Sequence, residues 1–356
     1  MIGALANAPD PRFAARAAFA QGLARIDRDK PVCVLGHFDA DGLSAVAILV
    51  RALRAAGRRA EPVTTAKGET PWDETVVARL AAYEPGGLIL TDLGTRADAV
   101  LPGCPAIVID HHVPTGEPQG AVTISGNGLD PEPTSALLAW WSVQTLGPSD
   151  GLLWLAALGL IGDMADGAGF PELEQAQARW GKTALKDATS LVNAPRRTAE
   201  ADPGPALRLL LTGDGPKVIT KGDSDDARSL LAAKAEVREA VDAARRVPPR
   251  VVGDIAMIRF HAAQQIHPLI AQQWRGKLRD KIVLAANTGY RPGWVHFAAR
   301  SATGRNLVEF LAEHRPPNAD GRYGNGHAQA TGGALRIADW NSFAAGLGFP
   351  EQQVHA

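Results

Sequence analysis

Short apolar runs alternate with longer alanine-rich stretches in the first half of the chain. The apolar runs at 32–36, 88–90 and 106–109 have the length of strands, and the stretch at 43–56 is typical of a helix. This alternation predicts a mainly parallel sheet flanked by helices, the α/β class. Two more helices are expected at about 133–144 and 151–162, packed on the sheet.

The second half of the chain predicts a linking helix followed by a smaller domain. The segment from Asp223 to Arg246 is rich in alanine and charged residues and contains no proline, which favours a long solvated helix. Strand-like runs, a short helix and a glycine-rich segment follow at 251–260, 282–287, 294–299, 307–314 and 321–333. The predicted organisation is a first domain at 1–222, a linking helix at 223–248 and a smaller α/β domain at 249–356. The tail after Ala338 carries no assignable pattern.

Composition narrows the classes of function. The 356 residues include 37 Lys and Arg and 38 Asp and Glu, for a net charge of -1, so nucleic-acid binding would depend on a local patch. Cys33 and Cys104 lie in apolar stretches, which indicates buried thiols in a reducing compartment.

The chain begins without an apolar signal segment, and its most apolar window is about ten residues, against roughly 20 for a membrane span. A cytoplasmic protein with no membrane partner is therefore expected.

Ligand-type side chains follow the first predicted strand. His37, Asp39 and Asp41 alternate with small or apolar residues, and extended backbone geometry would send all three to one side. Gly42 would then let the chain turn into a helix starting near Leu43, and a helix N-terminus is a favourable place for a phosphate. The segment could hold a metal and an anion together.

Three further segments end in acids or imidazoles. Asp92 follows the second apolar run, Asp110-His111-His112 follows the third, and Gly162-Asp163 and Asp166 close the helix expected at 151–162. A single Asp in such a place is usually a cap or turn residue, but four segments at one sheet edge indicate a site.

Clustered carboxylates repel one another unless cations lie between them. Mixed carboxylate and imidazole ligands favour two divalent cations, Mn²⁺ first, with Co²⁺ or Mg²⁺ as alternatives. Asp92, alone after its strand, is the expected bridge in a two-metal phosphoesterase.

In this order the segments resemble the four motifs of the DHH phosphoesterase superfamily in its RecJ-like variant, over roughly residues 30–170. Arg300-Ser301 and the glycine-rich stretch at 324–333 are similar to the family's C-terminal DHHA1 domain. Asn325 stands where that domain's Gly-Gly-Gly-His signature has glycine. The resemblance implies a DHH domain, the linking helix and a DHHA1-like substrate-binding domain.

The resemblance also implies roles for individual residues. His37 and Asp39 would hold one metal, Asp41 and His111 the other, and Asp92 both. His112 would face the scissile phosphate, with Asp110 orienting the imidazoles or serving only as a buried cap. The fourth-motif ligand is Asp163 or Asp166, with Asp166 preferred. In the second domain the expected substrate contacts are Arg300, Ser301, Gly326 and His327.

The function that follows from the resemblance is an Mn²⁺-dependent exonuclease that degrades single-stranded DNA or short oligonucleotides from the 5′ end. One alternative is a phosphodiesterase for cyclic or linear dinucleotides or other small nucleotides. The other is a non-catalytic nucleotide-binding module. Trp274, Tyr290 and Trp294 are the candidates for base stacking, and the pair Arg196-Arg197 is expected on solvated surface.

Overall fold

The computed structural model describes residues 10–355, apart from the side chains of Asn325 and His327. The chain forms two compact units: the first comprises the residues up to Arg196 and Glu200–Ala232, and the second comprises Arg197–Ala199 and the residues from Ala233 on. The division falls inside helix α10 (Asp225–Ala244), within the segment predicted as the linking helix. No helix among residues 10–355 is both long and apolar enough to cross a bilayer.

The first unit is built on a five-stranded parallel sheet in the order β2-β1-β3-β4-β5. The strands are β1 (Val32–Gly36), β2 (Ala60–Thr64), β3 (Gly87–Thr91), β4 (Ala106–Asp110) and β5 (Val122–Ser125). The sequence predicted the three central strands, which are continuous apolar runs. It did not reveal the two edge strands, since β2 contains Glu61 and Pro62 and β5 has only four residues. An edge position tolerates proline, because one side of the strand makes no ladder hydrogen bonds.

Helices cover both faces of this sheet. Along β1, Val32 and Val34 belong to one apolar core, whereas Cys33 and Leu35 belong to another on the opposite face. The helices of the unit, besides the start of α10, are α1 (Pro11–Leu23), α2 (Ala40–Ala55), α3 (Glu74–Ala81), α4 (Ser135–Val143), α5 (Leu153–Gly162), α6 (Pro171–Trp180), α7 (Lys182–Val192), α8 (Gly204–Thr212) and α9 (Lys217–Thr220).

Helix α2 begins three residues earlier than predicted. Asp39 is its N-cap and accepts a hydrogen bond from the backbone N–H of Gly42 at 3.1 Å. Asp41 therefore lies in the first helical turn, and the prediction that it continues an extended segment was wrong. Gly42 is needed here for close approach, because a Cβ atom would lie 2.4 Å from the carbonyl oxygen of His37.

The second unit contains a six-stranded, mostly antiparallel sheet in the order β10-β11-β9-β8-β7-β6, in which only β7 and β8 pair in parallel. The strands are β6 (Arg250–Val252), β7 (Ile255–Phe260), β8 (Ile282–Asn287), β9 (Trp294–Ser301), β10 (Tyr323–His327) and β11 (Ala330–Arg336). The single run predicted at 251–260 is in fact a tight hairpin that turns at Gly253, where φ is +56°.

Helices also pack on both faces of the second sheet. Residues of α10 and of α11 (His267–Lys277) lie against one face. Helix α12 (Leu307–Glu313) and helix α13 (Ile337–Gly346) lie against the other, where Phe310, Trp340 and Phe343 are buried. The tail after Ala338 is thus mainly helical. Together the two units confirm the predicted α/β class with a mainly parallel sheet and a smaller α/β unit.

Candidate metal centre

The carboxyl ends of β1, β3 and β4 meet at one edge of the parallel sheet. The strand order reverses between β1 and β3, and an open α/β sheet has its ligand crevice at such a reversal. His37 and Asp39 follow β1, Asp92 follows β3, and Asp110 ends β4. The topology therefore brings these side chains together, although they are far apart in sequence.

Asp92 lies at the centre of the cluster. One of its carboxylate oxygens is 3.6 Å from Nδ1 of His37, and the other is 3.6 Å from Nε2 of His111. The hydroxyl of Ser135 donates a hydrogen bond to the oxygen nearer His111 at 3.2 Å. Asp92 is buried and has a φ of +60°, a left-handed conformation that Asp tolerates better than most residues. The backbone is thus held in an uncommon conformation at a carboxylate that faces His37 and His111 and has Nδ1 of His112 at 4.0 Å.

Backbone N–H groups fix the carboxylate of Asp41. The N–H groups of Ser135 and Ala136, in the first turn of α4, donate to its two oxygens at 2.8 and 3.0 Å. A carboxylate is favourable at a helix N-terminus because the unpaired N–H groups there carry partial positive charge. The Asp41 side chain is therefore fixed in one orientation.

Asp39 is shared between an imidazole and a guanidinium. Its Oδ2 atom lies 3.0 Å from Nδ1 of His37 and 2.6 Å from Nη1 of Arg196. Burial acts to raise the pKa of Asp39, but the charges of His37 and Arg196 outweigh it and hold that pKa well below its ordinary value. Arg196 is mostly buried beside Asp39, so its expected place on solvated surface was wrong. Nearby, Asn193 accepts a hydrogen bond from the backbone N–H of Ala40 at 2.9 Å.

The structure places Asp163, and not Asp166, in the cluster. The Oδ2 atom of Asp163 is 3.3 Å from Nε2 of His111, whereas Asp166 is paired with Lys186 at 2.8 Å. The preference for Asp166 is therefore reversed. The reason lies in the backbone, because Asp163 caps the end of α5 and Met164, at a φ of +59°, redirects the chain immediately afterwards.

Asp110 and Glu132 each face one imidazole. Asp110 accepts hydrogen bonds from the backbone N–H of His112 at 2.8 Å and of Leu93 at 3.2 Å, and lies 2.7 Å from Nδ1 of His112. Its contacts thus orient His112 and hold the turn after Asp92. The corresponding Nδ1 atom of His111 lies 3.5 Å from Glu132, a residue that no sequence pattern singled out.

The electrostatics of the cluster show that it suits cations. Burial, followed by the charge of Asp92, raises the pKa of Asp41 to about 7. Burial, followed by the charge of Asp41, raises the pKa of Asp163 to about 9. Burial acts to lower the pKa of His37, but Asp39 and Asp92 outweigh it and raise that pKa to about 10. The carboxylates of Asp41 and Asp163 therefore lack a compensating positive charge, which a bound cation would supply.

Three groups of ligand atoms, each within 4.8 Å of one another, can be drawn in the described part of the chain: Asp92 with His111 and His112, His37 with Asp39 and Asp92, and Asp41 with His111 and Asp163. Asp92 and His111 each belong to two groups. Mixed oxygen and nitrogen donors of this kind fit first-row divalent metals. The residues present therefore fit the implied pair of cations.

Comparison with known proteins agrees with this geometry. A family model described as the DHH family, N-terminal domain, matches residues 31–139. The single-stranded-DNA-specific exonuclease RecJ of Thermus thermophilus is 32% identical over 222 residues, which are 52% of this chain and 33% of that protein. Residues 31–139 are thus similar to the N-terminal domain of the DHH family, and the chain is similar to RecJ over 222 residues. It matches only about a third of the length of that RecJ.

Solved structures show that the RecJ-like fold extends through both units. A crystal structure of exonuclease RecJ bound to manganese has a TM-score of 0.67 and 22% identity, and 96% of each chain is covered. RecJ of Thermus thermophilus in complex with Mn²⁺ has a TM-score of 0.69 and 22% identity, covering 93% of this chain and 53% of that one. At this level of identity, the similarity establishes the fold alone.

The residues that the RecJ-like resemblance singled out in the second unit are placed as follows. Arg300 is half-buried and donates to the carbonyl oxygens of Ala299 and Thr331. Ser301 is fully buried, with its hydroxyl hydrogen-bonded to Thr303, so the structure does not present it to a ligand. Gly326 is exposed with a φ of +140°. His327 ends β10, and its side chain lies outside the described residues.

The aromatic residues expected to stack on bases are less accessible than predicted. Tyr290 and Trp294 are both buried, so that prediction was wrong for them, and Trp274 packs against the core on the α11 side. In the first unit, Ser135 lies at the start of the helix expected at about 133–144, but the sequence gives it no role at the site. Asn193 and Glu132 were not predicted, and Arg196 was predicted only as a surface residue, because no local pattern encodes their contacts with Ala40, His111 and Asp39.

Proposed function

We propose that the chain is a phosphodiester hydrolase that works with two divalent cations, Mn²⁺ first, and degrades single-stranded DNA or short oligonucleotides from the 5′ end. The observation that carries this proposal is the position of Asp92, whose two oxygens face His37 and His111. A carboxylate between two metal positions is the usual arrangement for in-line displacement at phosphorus. The similarity of residues 31–139 to the DHH family, which includes metal-dependent phosphoesterases and nucleases, supports the proposal.

In this proposal the ligands divide into two sets that share Asp92. His37 and Asp39 would hold one cation, and Asp41, His111 and Asp163 the other. When bound, the pair supplies Lewis-acid chemistry: it lowers the pKa of a water molecule and neutralises charge on the phosphate. The protein supplies a rigid donor set, because Asp41 is held by backbone N–H groups and Asp92 by the hydroxyl of Ser135.

His112 would contact the substrate. Its Nδ1 atom is engaged by Asp110 at 2.7 Å, so Nε2 lies on the far side of the ring. About half of the side chain is exposed, 55%, although the backbone beside it is fixed by Asp110. An imidazole held in this way can donate a hydrogen bond to a phosphate oxygen or pass a proton to the leaving group. We assign it that role, with Asp110 as the residue that orients it.

The proposed substrate class rests on two observations: the similarity to RecJ of Thermus thermophilus and the net charge of the chain. The Thermus thermophilus protein is named as a single-stranded-DNA-specific exonuclease. A net charge of -1 does not favour tight binding to long duplexes, which depends on many phosphate contacts. In the second unit we propose that Arg300, Gly326 and His327 contact a phosphate or terminal group of the nucleotide.

Product analysis tests this proposal. The purified chain is incubated with Mn²⁺ and a panel of 5′-labelled single-stranded DNA, linear dinucleotides, cyclic dinucleotides and pyrophosphate, with Asp92→Ala as the blank. The proposal predicts mononucleotides released stepwise from the long strand. Cleavage confined to dinucleotides would instead make the chain a small-nucleotide phosphodiesterase. No hydrolysis and no Mn²⁺ binding would leave a non-catalytic nucleotide-binding module.

A further inference from the structure

One short segment contacts three residues of the metal centre. It runs from Glu132 to Ala136, at the start of α4. Within it, the Ser135 hydroxyl holds Asp92, and the backbone N–H groups of Ser135 and Ala136 hold Asp41. The remaining contact is between Oε1 of Glu132 and Nδ1 of His111, at 3.5 Å.

The ring of His111 has a carboxylate on each side. Its Nε2 atom faces Asp92 at 3.6 Å and Asp163 at 3.3 Å, which is the side of the proposed cations. Its Nδ1 atom faces Glu132. An imidazole binds a metal through a nitrogen without hydrogen, so the hydrogen must sit on the other nitrogen, and a carboxylate there holds both the tautomer and the ring direction.

We propose that Glu132 is a positioning residue for His111: it accepts the Nδ1 hydrogen and thereby presents Nε2 to the cation held with Asp41 and Asp163. This inference rests on the proposed metal centre. The neighbouring histidine provides a parallel within the same site, because Asp110 faces Nδ1 of His112 at 2.7 Å. The contact of Glu132 is longer and its side chain is 46% exposed, so we expect an effect at the lower end of the range for such partners.

Because Glu132 is exposed, an effect on metal binding can be distinguished from an effect on folding stability. An ion pair at an exposed carboxylate contributes little to folding stability. Its effect on metal binding is larger, because an unoriented imidazole must be ordered when the cation binds. Partners of this kind typically change metal affinity by about 10–100-fold. Removing Glu132 should therefore weaken metal binding without unfolding the protein.

The test is a calorimetric titration of Mn²⁺ into the full chain and its variants. Glu132→Ala should raise the Kd of one of the two Mn²⁺ ions about 10-fold, and Glu132→Gln should have a smaller effect, since its amide oxygen still accepts a hydrogen bond. Glu174→Ala, at an exposed glutamate in α6, is the matched control and should bind as the wild type does. Thermal unfolding in EDTA should be the same for all four proteins.

The outcomes separate the two proposals. Wild-type-like Kd values for Glu132→Ala, with normal Mn²⁺ binding by the wild type, would overturn the role of Glu132 and leave the metal centre standing. A lowered unfolding temperature in EDTA would make Glu132 a structural residue and also overturn its positioning role. Absence of Mn²⁺ binding by the wild type would overturn the proposed metal centre itself.

Discussion

Gly159 of α5 lies directly against the carboxylate of Asp41. A Cβ atom at position 159 would be 2.2 Å from Oδ1 of Asp41 and 2.6 Å from the Cβ atom of Ala136. The carboxylate of Asp41 therefore contacts backbone N–H groups of α4 on one side. On its other side lies the backbone of α5 at Gly159, which has no side chain. Asp41 can keep its orientation only while residue 159 is glycine.

Gly159→Ala should damage the metal centre. Alanine inside a helix is normally more stable than glycine by about 1 kcal/mol, but here the added methyl overpacks the site at a cost of about 1–3 kcal/mol. We expect a lower free energy of unfolding and weaker Mn²⁺ binding, measured by urea denaturation and calorimetry. Gly276→Ala is the control, because nothing lies within 4 Å of its Cβ position in α11. That control should be neutral or slightly stabilising, and unchanged Mn²⁺ binding by Gly159→Ala would contradict the packing argument.

Arg196→Met should destabilise the metal-free protein near neutral pH. The lowered pKa of Asp39 means that its pairing adds stability above the unfolded-state pKa of about 3.9, and that this stability is lost as the pH falls through the folded-state pKa. We expect a loss of about 2 kcal/mol at pH 7 in EDTA, as for a hydrogen bond between charged groups. The difference from the wild type should shrink in acid. Equal stability of the two proteins at pH 7 would contradict the contact.

Mn²⁺ should bind more tightly as the pH rises from 6 to 8. The raised pKa values of Asp41, about 7, and Asp163, about 9, mean that the metal-free cluster holds protons that a cation must displace. Because these carboxyl pKa values are raised, protonation stabilises the metal-free fold at lower pH and competes with the metal there. Calorimetry in two buffers of different ionisation enthalpy should detect net proton release. A Kd independent of pH, with no proton release, would count against the cluster as the binding site.

Cys33 should resist alkylation in the folded protein. It is fully buried in β1, and burial raises the pKa of its thiol to about 12, so almost no thiolate forms at pH 8. Burial also raises the pKa of the partly accessible Cys104. Mass spectrometry after iodoacetamide treatment should show Cys33 unmodified in buffer and both cysteines modified in denaturant. Rapid native labelling of Cys33 would mean that β1 opens readily.

The parts of the fold that the sequence revealed are those in which local pattern and burial agree. The strands β1, β3 and β4 are unbroken apolar runs in the middle of the sheet, and the acids and imidazoles directly after them are the residues that cluster. The edge strand β2 was not predicted because it is only partly buried and contains Glu61 and Pro62, and β5 was not predicted because it has only four residues, two of them Thr123 and Ser125. Helix α13 was also not predicted from the sequence.

The remaining features of the site depend on long-range packing. Arg196 meets Asp39 across 157 positions of sequence, and no local pattern encodes that contact. The choice between Asp163 and Asp166 is decided by a single left-handed residue, Met164, which is not among the residue types that usually mark such a turn. Glu132 reaches His111 only because α4 begins beside the ends of β3 and β4.

The most direct test of the central claim is the Mn²⁺-dependent rate at which the chain hydrolyses a 5′-labelled single strand, measured side by side for the wild type and Asp92→Ala. We predict that the wild type releases mononucleotides. We expect the variant to release none while it keeps the circular dichroism spectrum of the wild type, because the carboxylate shared by both sets of ligands is gone. Equal rates for the two proteins, or no hydrolysis by the wild type with Mn²⁺ bound, would contradict the account.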